Sequence, residues 1–194
     1  MKVLFIAGSG RRDGVTSSLC GIAASAMPDA DVTILRPHTM NIFHCAGCGS
    51  CSASGKCIIK DDMHKIYEAA DENDVVVLAT PVYFSGPSSV MKQVIDRFQA
   101  VWARDRMNSE EKNNKRKKFA ALISAGGQPS PRFDNIVSIS KAFASVIGAE
   151  WIGELLIGGT DGSKEVPKDA ADKAFRFGET IMTETASISD RPHP

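Results

Sequence analysis

Two kinds of hydrophobic pattern alternate along the chain. Unbroken apolar runs occur at Val3-Leu4-Phe5-Ile6-Ala7, more weakly at Val32 to Leu35, and then at Val75 to Ala79, Phe119 to Ile123 and Trp151 to Ile157. Short, branched, non-alternating runs suit strands buried on both faces, as in a parallel sheet. Between them, apolar residues recur at helical spacing. Leu19, Ile22, Ala23 and Ala26 share a face that Pro28 ends. Asp61 or Asp62 can cap a helix carrying Met63, Ile66, Tyr67 and Ala70; Ser88 or Ser89 can start another, with Met91, Val94, Ile95, Phe98 and Trp102 inward. Ile136, Ile139, Phe143 and Val146 precede a stop at Gly148, and Pro167 precedes Ala170, Ala174, Phe177 and Ile181. Five strands alternating with five helices predict a doubly wound α/β domain. Residues 1–186 read as one domain, with a cysteine-rich insertion at 44–58 and a loose tail at 187–194. In such sheets ligands bind beyond the carboxyl ends of the strands, so the loops after strands one, three and four are the candidate site.

Composition narrows the partners. The 194 residues are enough for one buried core and short for two domains. No apolar run approaches the roughly 18 residues of a membrane span. Lysine plus arginine equals aspartate plus glutamate at 23 each, which argues against a nucleic-acid partner. The five cysteines are odd in number, so they do not all pair internally. The first residues lack a secretory apolar core, and the expectation is a cytoplasmic chain with reduced thiols. Clustered cysteines there point to metal or redox chemistry.

The first loop, Gly8-Ser9-Gly10-Arg11-Arg12-Asp13-Gly14-Val15-Thr16-Ser17-Ser18, joins strand one to helix one. Glycines expose backbone N–H groups, hydroxyls add donors, and a helix N-terminus favours an anion. The spacing is neither G-x-G-x-x-G nor a Walker loop. Arg36 and Pro37, not an acidic residue, close the second strand. A mononucleotide phosphate is therefore favoured over a dinucleotide. The plainer reading is a strand-to-helix turn capped by Thr16.

The second loop reads C-x2-C-x2-C-x5-C, through Cys45, Cys48, Cys51 and Cys57. Four thiolates within thirteen residues can wrap a cubane cluster, and small intervening residues let backbone N–H groups face sulfur. Structural zinc sites use two separated knuckles, so iron–sulfur is favoured over zinc. A cluster-free, redox-labile loop is the third reading. Cys20, on the apolar side of helix one, reads as a core thiol.

The third loop, Thr80-Pro81-Val82-Tyr83-Phe84-Ser85-Gly86-Pro87-Ser88-Ser89, sets two aromatics at the strand ends, and Ser124-Ala125-Gly126-Gly127 offers close backbone approach beside them. Gly8-Ser9-x-Arg11, Thr16, Leu19, the four-cysteine loop, Lys60-Asp61-Asp62-Met63, Pro81-Val82-Tyr83-Phe84, Met91-Lys92 and Ile95-Asp96-Arg97 together resemble the NADPH-dependent FMN reductase family, and within it the iron–sulfur flavoprotein branch. The resemblance covers roughly residues 1 to 160. It implies a flavodoxin-like three-layer sandwich with a five-stranded parallel sheet in the order 2-1-3-4-5, FMN as cofactor, and a homodimer or homotetramer. It further implies a [4Fe-4S] cluster on Cys45, Cys48, Cys51 and Cys57. FMN phosphate would be held by Ser9, Arg11, Val15, Thr16 and Ser17. The ring and ribityl chain would be flanked by Pro81, Val82, Tyr83, Phe84, Ser85 and Gly86, with Ser124, Gly126 and Gly127 on the same rim. Gly10 and Val15 stand where the family often has proline and asparagine.

No nucleophile–histidine–carboxylate set is present, and no residue is assigned as acid, base or nucleophile. The chain reads as an FMN oxidoreductase passing electrons between small carriers, with NAD(P)H or a ferredoxin as candidate partners. A cluster-free NAD(P)H-dependent FMN or quinone reductase and a non-enzymatic flavodoxin-like binding module are the alternatives. Lys112, Lys115, Arg116, Lys117 and Lys118 read as a solvated connector, or as a docking patch for an acidic carrier.

Overall fold

A computed structural model of the protein describes residues 1–107, 118–128, 132–160 and 165–189. Strands β1 (Lys2–Ala7), β2 (Asp31–Leu35), β3 (Val75–Tyr83), β5 (Lys118–Ala125) and β6 (Ala149–Ile157) form a parallel sheet in the order β2-β1-β3-β5-β6. A two-residue strand, β4 (Gly86–Pro87), pairs antiparallel with the end of β3 and makes six strands where five were expected. Without β4, the order is the expected 2-1-3-4-5.

Alternation along the central strands divides the core in two. Val3, Phe5, Val75, Val77, Phe119, Ala121 and Ile123 face one layer, with Leu19, Cys20 and Ala23 of α1 (Val15–Ser25) and Ala170, Ala174 and Ile181 of α7 (Lys168–Ser189). Leu4, Ile6, Val76, Leu78 and Leu122 face the other. There they meet α3 (Met63–Glu72), α4 (Ser89–Arg97), α5 (Gln99–Met107) and α6 (Asp134–Val146). Burial on both faces explains why the strand sequences are continuous apolar runs. Cys20 is fully buried, and burial pushes its thiol up to about 12 against the lowering effect of Arg36.

Several boundaries differ from expectation. The helix predicted from Ser88 to Trp102 is two helices, α4 and α5, broken at Phe98. Ser88 is its N-cap as expected, accepting from the Met91 N–H at 3.1 Å. β3 does not end at Thr80-Pro81. It continues to Tyr83 because Pro81, which has no N–H to lose, still sits opposite Ala125 of β5, and Val82 and Tyr83 gain β4 as a partner. Gly14, not Thr16, is the N-cap of α1. Lys118 is not part of a solvated connector: it begins β5, is 8% exposed, and donates to the Ala70 carbonyl at 2.6 Å. Lys112, Lys115, Arg116 and Lys117 lie outside the described residues. Of the predicted tail, the backbone of α7 runs to Ser189, and 190–194 lie outside the described residues. No helix among the described residues is long and apolar enough to cross a membrane.

Candidate functional site

Beyond the carboxyl ends of β1, β3 and β5 lies a cleft of about 690 Å³, lined by Ser9, Arg11, Asp13, Gly14, Val15, Thr16, Pro81, Val82, Tyr83, Phe84, Ala125, Gly127, Gln128 and Thr160. That is within the roughly 300–1,000 Å³ usual for cofactor sites. One end is the start of α1. Gly14 caps it without a side chain, so the first N–H groups of the helix have no intrahelical acceptor and are free to bind an anion. The loop leading to it holds its own shape. The Arg11 N–H donates to Ser9 Oγ at 3.2 Å, and the Ser17 hydroxyl donates to the Arg11 carbonyl at 2.8 Å. A side chain at Gly14 would press on Arg11, its Cβ 3.1 Å from the Arg11 Cβ. Asp13 also reaches the cleft but is exposed, where solvent screens its charge.

The opposite rim is the β3–β4 hairpin. Phe84 and Ser85 form its two-residue turn, with φ of 50° and 63°. Left-handed backbone at both turn positions suits this kind of hairpin and favours asparagine and glycine, not phenylalanine. Strain of this sort persists at functional positions. It leaves Tyr83 half exposed and Phe84 fully exposed at the cleft mouth.

The hairpin is tied back to β1. Ser88 Oγ donates to the Gly8 carbonyl at 2.6 Å, and the Ser88 N–H donates to Thr80 Oγ1 at 3.1 Å. Gly8 is required there, because a Cβ would lie 2.7 Å from that of Met91.

Of the residues the sequence proposed for this site, Ser9, Arg11, Val15, Thr16, Pro81, Val82, Tyr83, Phe84 and Gly127 line the cleft, while Ser17, Ser85, Gly86, Ser124 and Gly126 do not. The latter shape it from behind. Ser124 Oγ donates to the Thr80 carbonyl at 2.9 Å. The Gly126 carbonyl accepts from the Thr160 N–H at 3.1 Å and its hydroxyl at 2.9 Å, which sets Thr160 on the wall. Thr160 and Gln128 gave no motif signal. Their position after a predicted strand was the only available hint.

The four loop cysteines line a second concavity of about 250 Å³, together with Arg97, Gln99 and Ala100 among others. It shares no lining residue with the cleft. Gly47 and Gly49, with φ of 63° and 75°, let the chain curl before the short helix α2 (Ser50–Ser54). Gly55, φ 66°, lies against α5, where a Cβ would be 3.2 Å from the Arg104 Cα. Cys48 Sγ lies 3.5 Å from Ser50 Oγ, and hydrogen bonds from the Ser50 side chain and backbone hold its thiol below the ordinary value. Among the described residues, no three His, Cys, Asp or Glu side chains converge as the ligands of a single metal ion do. The four cysteine residues line one concavity without meeting at a point.

A buried ion pair closes the base of this loop. Arg97 and Asp61, with side chains 1% and 0% exposed, pair through Nη1–Oδ2 at 2.6 Å and Nη2–Oδ1 at 3.1 Å. Asp61 Oδ2 also accepts the Phe43 N–H at 2.8 Å, and Arg97 Nη1 donates to the Phe43 carbonyl at 2.7 Å. Asp62 accepts the Asn41 N–H at 2.8 Å. Residues on both sides of the cysteine segment are thereby fixed to α4. Burial works against the Asp61 charge, but hydrogen bonds from Arg97, Phe43 and Met63 hold its carboxyl below the ordinary value. The sequence marks Asp61 and Asp62 as simple caps and Lys92, Asp96 and Arg97 as members of structural ion pairs, but does not mark Asp61 as the partner of Arg97. A carboxylate and an arginine 36 positions apart give no local signal.

The model of the NADPH-dependent FMN reductase family matches residues 1–153. An iron-sulfur flavoprotein of Archaeoglobus fulgidus is 35% identical over 99 residues, 50% of this chain and 45% of the relative. Another, of Methanosarcina thermophila, is 31% identical over 129 residues, 66% of this chain and 64% of the relative. The matches thus span about half to under two thirds of these relatives' own lengths. Among solved structures, a flavone reductase superposes with a TM-score of 0.73 at 17% identity, covering 100% of this chain and 66% of that one. The apo form of an NADH:FMN oxidoreductase gives 0.63 at 17% identity, covering 98% and 91%. These likenesses establish the flavodoxin-like fold. The family match runs through β1, the anion loop, the cysteine loop and the aromatic hairpin, and the chain belongs to the NADPH-dependent FMN reductase family.

Proposed function

We propose that the protein is an FMN-dependent oxidoreductase that passes electrons between a reduced donor, NAD(P)H or a small iron–sulfur carrier, and an acceptor, with a [4Fe-4S] cluster on the cysteine loop. The observation that carries the flavin reading is the single cleft that joins an open helix N-terminus and Arg11 at one end to Tyr83 and Phe84 at the other. Its two ends match a cofactor with a phosphate at one end and a planar ring at the other. The α1 N–H groups, Ser9, Thr16 and Arg11 would take the phosphate dianion. Pro81 to Phe84 and Gly127 would wall the ring. Bound FMN supplies two-electron chemistry and a bound cluster one-electron chemistry. No side chain of this chain is needed to move a proton.

The cluster reading rests on four thiols around one concavity and on the names of the curated relatives, iron-sulfur flavoproteins. Because cleft and concavity share no lining residue, we propose transfer between subunits, the cysteine loop of one chain facing the cleft of another in a homodimer or homotetramer.

Flavin titration tests the cleft. Arg11→Ala is expected to weaken FMN at least tenfold, the loss of about one charge-assisted hydrogen bond, and to leave riboflavin, which lacks the phosphate, unchanged. Equal weakening of both flavins would contradict the assignment.

A further inference from the structure

β1 and β3 run parallel, with Ala7 opposite Ala79. In such a pair a residue donates its N–H to one partner position and accepts at its carbonyl from the position two residues further on. Gly8 makes the first of these bonds, its N–H donating to the Ala79 carbonyl at 2.7 Å. The ladder assigns the second to the N–H of residue 81. Residue 81 is proline and has none, so the Gly8 carbonyl loses its backbone donor. Gly8 is buried, where an unmet carbonyl is costly. The hydroxyl of Ser88 takes the place of the missing N–H, donating to the Gly8 carbonyl at 2.6 Å. The same oxygen accepts the Met91 N–H at 3.1 Å as the cap of α4, and the Ser88 N–H donates to Thr80 Oγ1 at 3.1 Å. Ser88 directly follows β4, the return strand of the aromatic hairpin, and Gly8 directly precedes Ser9 of the anion loop. One buried hydroxyl therefore spans the point where β1 and β3 part, with the anion loop on one side and the hairpin on the other.

We infer that Ser88 is a positioning residue: its hydroxyl replaces the ladder donor that Pro81 lacks, and so fixes the anion loop at the separation from the aromatic hairpin that a phosphate-bearing flavin spans. That role rests on the flavin reading above. Pro81, which lines the cleft, opens it by ending the pairing of β1 with β3, and Ser88 holds the opened seam at one width. FMN bridges the two ends of the cleft, whereas riboflavin has no phosphate to place. A fixed separation spares FMN the cost of ordering one end against the other. Ser88 therefore acts on the advantage of FMN over riboflavin. A helix cap alone would hold α4 and leave that advantage untouched.

Two measurements on the full chain test this. The first needs no flavin. Ser88→Ala removes the α4 cap and the donor to Gly8 together, and its cost to the folding equilibrium is read by urea titration in the wild type and again in a Pro81→Ala chain, whose residue 81 has an N–H to offer Gly8. The cost is expected to be about tenfold smaller in the Pro81→Ala chain, the worth of about one buried hydrogen bond. Equal costs overturn the substitution of Ser88 for the ladder donor, because the cap is lost in both chains. Where the alanine chain does not fold, Ser88→Cys, whose thiol is a weaker donor, takes its place in the same cycle with the same two outcomes. The second measurement titrates FMN and riboflavin. The preference for FMN over riboflavin is expected to fall about tenfold when the hydroxyl is removed and to return in Ser88→Thr, which keeps it. An unchanged preference in a folded variant overturns the positioning role. A wild type that binds neither flavin fails the flavin reading and the positioning role with it, an outcome distinct from the stability cycle, which is read without flavin.

Discussion

At the scale of single residues, Asp61 carries the most consequence outside the cleft. It is fully buried, meets Arg97 through two bonds, and accepts the Phe43 and Met63 N–H groups. Removing one partner of such a pair strands the other charge, so Asp61→Ala is expected to destabilise the fold by about 3–5 kcal/mol in urea titration. A loss below about 1 kcal/mol, as for a surface pair, would refute the clamp. The pH dependence follows from the lowered carboxyl. The unfolded chain binds the Asp61 proton more readily than the folded one, so its contribution is complete above the ordinary value of 3.8 and fades as pH falls through the lower folded value. Asp61→Asn should flatten that acid limb of the stability profile. At the cleft mouth, replacing Phe84-Ser85 by Asn-Gly supplies the residues that the left-handed turn prefers. The hairpin should become no less stable to heat, while FMN binding weakens several-fold. Unaltered FMN affinity would mean that Phe84 does not contact the ring.

At the scale of elements, close backbone approach decides which glycines matter. Gly178 lies within α7, where alanine would ordinarily favour the helix by up to about 1 kcal/mol. Here a Cβ would sit 2.3 Å from the Ala23 carbonyl of α1 and 2.8 Å from the Cβ of Ala26, its C-cap. Gly178→Ala is expected to cost about 1–3 kcal/mol through overpacking, read as a lower Tm. A raised Tm would contradict the α1–α7 contact. How legible each element was depends on the range of its cause. Strands such as Val75 to Ala79 were readable because burial on both faces writes a continuous apolar run. The split at Phe98, the extension of β3 past Pro81 and β4 were not, since each depends on a partner distant in sequence or on a single pair of hydrogen bonds. In the site, glycines, hydroxyls and cysteines announced their loops. Thr160 did not, and Arg97, though marked as an ion-pair residue, gave no sign of Asp61 as its partner, because both roles are set by contacts across the fold.

At the scale of the whole molecule, the sheet places two unlike concavities on one chain, with separate linings. One fits a phosphate-bearing planar cofactor. The other is lined by the four cysteine residues of the loop, shaped by turns at Gly47 and Gly49. The most direct measurement is the content of FMN, iron, sulfide and zinc per chain in protein purified and reconstituted without oxygen. We expect one FMN, about four iron and about four sulfide per chain, and no stoichiometric zinc. FMN with iron below about one atom per chain after reconstitution would contradict the two-cofactor account and leave a cluster-free flavin reductase.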